Sequence, residues 1–342
     1  MTLFLDRDDV RALATHDATL AAARAAVDAE RAGRTALPAR HDVNLSRGFL
    51  RVMPAALDEF MGLKVMTLVR GLGTRYLILL YSQETGELLA MLDADEVTRM
   101  RTAATTVVAG EILAPGGAST LALIGSGFEA EGHLRAFAAA WKPDQVLVYS
   151  RDRDRREAFA ARMSEQLDVA VLPSESMEDA ISSAPVSILA TKAEEPVVDG
   201  AHFPADGVVL SIGSTRPDLR ELDTVTLERA AMLLVDDAKQ VKVESGDVID
   251  GLGCGAIDES RIVGMADASA GAAPRRAGER DLLVFKSVGT ALQDLALSRV
   301  LVEAARAAGR GRDLGELAGL KPFAGGGRAP APAAPDAAAG AA

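Results

Sequence analysis

The spacing of apolar residues changes character near residue 115. Before it, Asp17 to Ala32 is alanine-rich, and Leu20, Ala23 and Val27 repeat at helical spacing, so this stretch predicts an amphipathic helix. Phe49 to Met53 alternates apolar and polar positions until Pro54, the pattern of a strand. Lys64–Val69 and Tyr76–Tyr81 read as two more strands. Glu84-Thr85-Gly86-Glu87 then forms a turn before the return strand Leu88–Leu92. Asp95 to Leu113 reverts to helical spacing and is stopped by Pro115-Gly116-Gly117. This first part predicts helices with an antiparallel or mixed sheet.

Beyond the break, short apolar runs alternate with helical ones. Strands are predicted at Leu121–Ile124, Gln145–Ser150, Val169–Val171, Val186–Thr191, Val208–Ile212 and Met232–Val235. Helices are predicted at Glu131–Ala140, Asp154–Gln166 and Met177–Ser182, with a long helical segment within Phe285–Ala307. Such alternation implies βαβ units and a parallel sheet. From Ala324 the chain is Gly/Pro/Ala low complexity, and we expect disorder there.

The first strand of the second part leads into "LALIGSGFEAEGHLRAF", Leu121 to Phe137. A strand, a Gly-x-Gly-x-x-Ala turn, a helix and a second strand follow in the order of a dinucleotide-binding unit. Gly125 permits the tight turn, Gly127 lets a pyrophosphate approach the backbone, and Ala130 lets the helix pack close to the strand. The helix N-terminus offers N–H groups and a positive dipole end to phosphate. Ser126, Phe128 and Glu129 in the turn are taken as cofactor contacts, with Ser150 and Arg151 at the end of the second strand and Thr191 at the end of Val186–Thr191. That second strand runs into Tyr149-Ser150-Arg151-Asp152-Arg153. An acidic residue at its tip would accept from the ribose hydroxyl of NAD, whereas arginine suits the 2'-phosphate of NADP. Arg151 therefore favours NADP, and Asp152 keeps NAD open.

Composition narrows the class. The chain has 342 residues, 49% hydrophobic and 25% charged, with a net charge of −12. That length allows two cores, and acidic and basic residues are interspersed, which argues against a nucleic-acid surface. Cys254 is the single cysteine, so no intrachain disulfide or cysteine-rich metal site is expected. The four histidines, His16, His41, His133 and His202, share no metal-ligand spacing. No bilayer-spanning run is present, and Met1–Asp17 lacks the apolar core of a signal peptide. A cytoplasmic enzyme with no metal and no membrane or nucleic-acid partner is the expectation.

Three cations precede the glycine turn: Arg40 in "LPARHDV", Lys64 in "GLKVMTLV" and Arg101 in "RTAATTVVAG". Each alone reads more readily as a surface cation. Placed together beside a nicotinamide they would suit a carboxylate substrate, which arginine binds bidentately.

The chain resembles the ornithine cyclodeaminase/mu-crystallin family through "LPAR", "RVMPA", "GLKV", "ETGELLAMLDADEVTRMRTAA", "GSGFEAEGH", "GSTRPDLRELD", "LLVDDAKQVKVESGDV" and "VFKSVGTALQDLA". The resemblance implies an α/β fold in which a Rossmann dinucleotide-binding domain is inserted into an α+β substrate and dimerisation domain. Residues 1–114 and the C-terminal return 285–323 would form the substrate part, 115–284 the NAD(P)-binding part, and 324–342 a tail. It implies a homodimer, with strands of the first part pairing across it. It assigns Arg40, Lys64 and Arg101 to the substrate carboxylate and imine, Thr102 to the cofactor phosphates, and Val288 and Gly289 to the nicotinamide. Lys64 would also donate a proton. Cyclodeaminases carry an aspartate where Thr215 stands; a threonine there resembles the ketimine-reductase branch. The implied reaction is NAD(P)H-dependent reduction of a carboxylate-bearing imine to an amino acid. Rival implications are an ammonia-lyase that uses NAD catalytically and a non-catalytic NADP- or ligand-binding protein. Arg75 stands where relatives carry an uncharged polar residue. It reads either as a ligand for a second carboxylate, as in iminosuccinate, or as a solvent-facing arginine at a strand start.

Overall fold

The computed structural model describes residues 1–271, 276, 278 and 280–321. The tail from Ala324, expected to be disordered, lies outside the described residues. The chain begins with β1 (Leu3–Leu5), α1 (Arg7–Leu13) and α2 (His16–Arg31), then runs through β2 (Thr35–Ala36), β3 (His41–Leu45), β4 (Gly48–Leu57), β5 (Phe60–Val69), β6 (Gly73–Ser82) and β7 (Leu88–Asp93) into α3 (Asp95–Leu113). Strands β4, β5, β6 and β7 are successive antiparallel neighbours, with Lys64 opposite both Met53 and Ile78. Alternation along β5 and β6 sends Gly62, Lys64, Ile78 and Leu80 to the buried face. Leu63, Val65, Leu77 and Leu79 go to the other face, where they are half-buried.

Pro54 does not end its strand. It pairs with Leu63 inside β4. On the other side of β4, β3 pairs up to Val52 and β2 pairs from Ala56. Proline thus sits beside a gap in the sheet, where a missing N–H breaks no ladder. The chain crossing that gap carries Arg40.

The second sheet contains β8 (Thr120–Ile124), β9 (Gln145–Tyr149), β10 (Ala170–Pro173), β11 (Val186–Leu189), β12 (Val208–Ser211), β13 (Ala230–Val235), β14 (Ile262–Gly264) and β15 (Leu282–Lys286), in the order β10-β9-β8-β11-β12-β15-β13-β14. Every pairing within it is parallel. Its helices include α4 (Phe128–Trp141), α5 (Arg153–Gln166), α6 (Met177–Ser182), α7 (Thr224–Arg229), α8 (Val241–Glu244), α9 (Gly246–Cys254) and α10 (Met265–Ser269). Chain order reverses between β8 and β11, which opens a crevice at the carboxyl ends of these strands.

The expected boundary at 284/285 cuts β15 in two, and Phe285 is a strand residue. Leu282-Leu283-Val284-Phe285 is a continuous apolar run, in which periodicity cannot tell a buried strand from a buried helix. The return helix α11 (Ala291–Ala308) starts only after Thr290 and covers the first sheet, before β16 (Arg312–Asp313) pairs with β1.

Helix α3 joins the two cores. Val97 packs with the first sheet, and Ala103, Ala104, Val107 and Val108 pack with the second. Small residues let it lie buried on nearly all sides. Three of its threonine hydroxyls donate back to helix carbonyls, Thr98 to Ala94 at 2.7 Å, Thr102 to Thr98 at 2.6 Å and Thr106 to Thr102 at 3.0 Å, which satisfies those buried donors, while the buried Thr105 hydroxyl has no hydrogen-bond partner among the described residues.

Gly125 adopts φ +128, and a Cβ on it would lie 2.5 Å from the Ala190 carbonyl oxygen. Gly125→Ala therefore meets both backbone strain and a backbone clash. We expect a loss of about 1–3 kcal/mol in chemical denaturation; an unchanged midpoint would show that the turn relaxes freely.

Candidate active site

The crevice begins at the β8–α4 turn. Gly127 is the N-cap of α4 with no side-chain cap, and a Cβ built on it meets nothing within 4 Å. The first N–H groups of α4 thus face open space, as a pyrophosphate site requires. Ala130 is fully buried beneath Gly125. Ser126 donates to Ser150 at 3.0 Å and ties the turn to the end of β9. Phe128 is half-exposed, with the Arg99 guanidinium 5.0 Å from its ring centroid. Glu129 turns inward: its Oε2 is enclosed and has no hydrogen-bond partner among the described residues. Burial raises its pKa, and the nearby charges of Arg101, Lys192, Arg99 and Lys64 oppose that rise.

The arginines after β9 divide into distinct roles. Arg156 is buried, donates to the Ser150 carbonyl at 2.8 Å and lies over the Tyr149 ring. Arg153 pairs with Glu157, and Arg155 with Asp152. Asp152 also caps α5 by accepting from Arg155 N. Arg151 is exposed and has no carboxylate partner among the described residues.

Deeper in the crevice, Thr191 donates its N–H and its hydroxyl to Glu221 Oε1, both at 2.7 Å. Glu221 Oε2 accepts from Ser211 and from Gly213 N. Lys286 reaches Ser211 Oγ at 2.7 Å and Asp247 at 3.0 Å, and Asp247 accepts from the N–H groups of Glu221 and Leu222. Lys286, Glu221 and Asp247 are all fully buried. This network fixes the loops after β11 and β12, including the one that carries half-buried Thr215.

Asp236, at the end of β13, holds the connection between β15 and α11. It accepts from Ser287 Oγ at 2.7 Å, Val288 N at 3.1 Å and Gly289 N at 2.7 Å. Gly289 has φ +76, and a Cβ there would come within 2.7 Å of Arg101 Nη1. The absent side chain is what lets Arg101 pass.

Arg101 and Lys64 meet on one carboxylate. Asp294 of α11 receives Arg101 Nε at 2.9 Å and Lys64 Nζ at 2.7 Å, and its side chain is completely buried. Arg101 Nη1 also donates to Gln293 at 2.7 Å. Lys64 is 2% exposed. Burial lowers its pKa to about 8, with Asp294 opposing the fall and Arg101 adding to it. Tyr76 lies alongside, its ring centroid 5.9 Å from Nζ. Arg40 approaches from the sheet gap. Its Nε and Nη2 donate to Gln240, Nη2 also donates to the carbonyls of Val288 and Gly289, and it pairs with Glu244. Among the described residues, Arg40 Nη1 and Arg101 Nη2 have no hydrogen-bond partner, and Lys64 has donors to spare beyond Asp294.

The structure thus brings Arg40, Lys64, Arg101, Val288 and Gly289 together beside the glycine turn. It does not bring Arg75. Arg75 pairs with Thr67 on β6, on the face opposite Lys64, and is exposed. The reading of Arg75 as a ligand for a second carboxylate in this pocket is corrected to that of an exposed strand residue. Thr102 is nearly buried, and its hydroxyl proton goes to Thr98 O, so it presents no side-chain donor to a phosphate. Sequence reasoning singled out none of Asp236, Gln240, Glu244, Asp247, Glu221, Lys286, Gln293 and Asp294. A signal was present: Asp236 and Lys286 each close an apolar strand run, where a charge must have a buried partner. Among the described residues no group of His, Cys, Asp and Glu is arranged to hold a metal, and no helix is long and apolar enough to cross a membrane.

An open helix N-terminus, a turn whose Gly125 tolerates no Cβ and a cation-lined pocket at the strand ends define a dinucleotide-binding fold facing a site for a small anion. The chain belongs to the ornithine cyclodeaminase/mu-crystallin family, whose model matches residues 1–309. It is 32% identical over 280 residues to the ketimine reductase mu-crystallin of Mus musculus, covering 79% of this chain and 83% of that protein. It is 30% identical over 286 residues to a Delta(1)-pyrroline-2-carboxylate reductase of Bacillus cereus, covering 80% and 85%. Among solved structures, the Thermococcus litoralis Delta(1)-pyrroline-2-carboxylate reductase in complex with NADH and L-proline superposes with TM-score 0.85 at 31% identity, covering 91% of this chain and all of that one. An archaeal alanine dehydrogenase dimer with bound NAD gives 0.84 at 27% identity, covering 91% and 98%.

Because a Cβ at Gly127 fits the empty turn, Gly127→Val should keep the wild-type melting temperature while abolishing dinucleotide binding in calorimetry. Retained affinity would remove the turn from the cofactor site.

Proposed function

We infer that this chain is an NAD(P)H-dependent reductase that converts a carboxylate-bearing imine or ketimine to an amino acid. The observation that carries the reading is the Lys64–Asp294–Arg101 triad, whose unspent donors face the crevice beside Val288 and Gly289. The ketimine and pyrroline-carboxylate reductases among its relatives support the same reaction class. The cofactor supplies a hydride to the C=N carbon when bound. The chain's residues do the rest. Arg40 Nη1 and Arg101 Nη2 are donors for the substrate carboxylate, and Asp294 fixes the direction in which Arg101 presents its donor. Lys64 is protonated at neutral pH, and its lowered pKa places it close to the pH at which a general acid works well. It is the group that protonates or hydrogen-bonds the imine nitrogen, which makes the carbon a better hydride acceptor.

NADP is the preferred cofactor in this reading, because Arg151, exposed just past the end of β9, has no carboxylate partner among the described residues while Asp152 is engaged at the α5 N-cap. The unit is a homodimer built on the half-buried apolar face of the first sheet. Thr215 offers no carboxylate base, so the ammonia-lyase alternative lacks a group that its chemistry uses.

Two measurements follow from these roles. Reduction of cyclic and linear imino acids, followed by loss of NADPH absorbance, should fall as pH rises through about 8, where Lys64 gives up its proton. Lys64→Met should lose at least about a hundredfold in kcat and keep NADPH affinity; simultaneous loss of binding would make Lys64 structural. Arg151→Ala should weaken NADPH by about 1.5–3 kcal/mol and leave NADH unchanged. Equal losses would mean that Arg151 does not read the 2'-phosphate.

A further inference from the structure

Arg40 is held unlike the other two cations. Lys64 and Arg101 rest on a fully buried aspartate of α11, within the same packed unit as the first sheet. The carboxylate facing Arg40 belongs to α8, a one-turn helix on the opposite wall of the crevice. Enclosed Glu244 Oε2 and the Asp294 Oδ2 that faces Lys64 both lack an aligned donor among the described residues, but Asp294 accepts an aligned hydrogen bond from Arg101 Nε at its other oxygen, whereas no donor among the described residues aligns on Glu244. Alignment toward Arg40 comes instead from Gln240 and from the carbonyls of Val288 and Gly289. Glu244 is therefore a charge partner that Arg40 does not need for its position.

The surroundings of Glu244 do not favour its ionised form. Asp236, at the end of β13, and Asp42, on β3, are anions near it, and Arg51 of β4 is already committed to Asp42 through two contacts of 2.7 Å. Gln240 on the neighbouring turn is neutral. Burial is the largest influence and holds the Glu244 carboxyl at about 7, with Arg40 and Arg51 opposing it.

We propose that Glu244 is a specificity-determining placeholder: a built-in carboxylate that occupies the charge of Arg40 until the carboxylate of the substrate takes it over. The inference rests on the reading of the pocket as a carboxylate site. Two carboxylates cannot both stay ionised on one almost fully enclosed guanidinium without repulsion, so substrate entry drives a proton onto Glu244. Neutral Glu244 then makes no claim on Arg40. An uncharged ligand gains nothing from this exchange, which is how the device selects for a carboxylate. Substrate binding becomes proton-linked: it is strong where Glu244 is already protonated and weakens as pH rises through about 7. A second weakening above about 8 belongs to Lys64.

The test uses the full chain saturated with NADP+ and pyrrole-2-carboxylate, a planar monocarboxylate with no group titrating between pH 6 and 9. Wild-type affinity should fall about fivefold from pH 6 to pH 8, and calorimetry in buffers of different ionisation enthalpy should show proton uptake at pH 7. Glu244→Gln should flatten that limb and bind at pH 8 within about twofold of wild type at pH 6, the remaining difference being the onset of Lys64 deprotonation. The loss above pH 8 should persist in both. An unchanged pH profile in the variant would overturn the proposal. So would weaker binding at both pH values, because Glu244 would then only position Arg40. Should the variant fail to fold, absence of proton uptake by wild type overturns it without any mutation. No binding by wild type at either pH would remove the carboxylate site itself, and the placeholder with it.

Discussion

The Asp294 carboxylate is the point on which the site depends. Two cations and one anion are enclosed together there, and enclosed charge is tolerated only when it is paired and hydrogen-bonded. Asp294 neutralises one of the two cations, which leaves a single uncompensated positive charge at the bottom of a crevice. Removing Asp294 would leave Lys64 and Arg101 facing each other in a low-dielectric pocket, and the lysine would answer by losing its proton. The aspartate therefore sets the orientation of Arg101 and the charge state of Lys64 together. It also joins distant parts of the chain, since its partners lie on β5 and α3 while it sits on α11. The helix that returns from the second sheet is thus the element that completes the cation-lined pocket.

That geometry explains why the fold needs two sheets in contact. The first sheet can present Lys64 on its buried face only because α11 covers that face with an acidic residue at the matching height. The second sheet contributes the Ser287–Thr290 connection, held by Asp236, and the absence of a side chain at Gly289 lets Arg101 lie against it. Helix α3 connects both. Its alanines and threonines allow close approach on every side, so Arg101 at its inner end is carried by an element with little freedom to shift. Site precision here comes from packing of small residues and not from a rigid loop.

Much of this was legible in the sequence. The glycine turn gave its own context, because a short apolar run, a turn of small residues and a helix in that order have few alternative folds. Lys64–Val69 and Tyr76–Tyr81 read as strands from short apolar runs followed by a hairpin turn at Glu84–Glu87. Three features were not legible, each for a physical reason. β15 is apolar at consecutive positions, so no period marks it as a strand. Pro54 looked like a terminator because the gap that accommodates it is formed by residues distant in sequence. Arg75 stayed open between a ligand and a solvent-facing arginine because strand alternation decides its face only once the register with Thr67 is known.

The acidic partners were the largest omission, and they follow a common logic. A cation in an apolar strand announces itself, as Lys64 does, because a charge in such a run is conspicuous. Its neutralising carboxylate comes from elsewhere in the chain, on a helix whose own polar pattern gives it cover: Asp294 follows Gln293, and Glu244 lies among Lys242, Ser245 and Asp247. Sequence reading finds such cations and misses their anions. Yet the anions determine what the cations do. A fully buried carboxylate such as Asp294, aligned on Arg101 Nε, makes its partners fixtures of the pocket. A carboxylate from the opposite wall, unaligned and close to its titration point, leaves its partner available. The difference between Asp294 and Glu244 separates the part of the site that is built from the part that responds to what enters it.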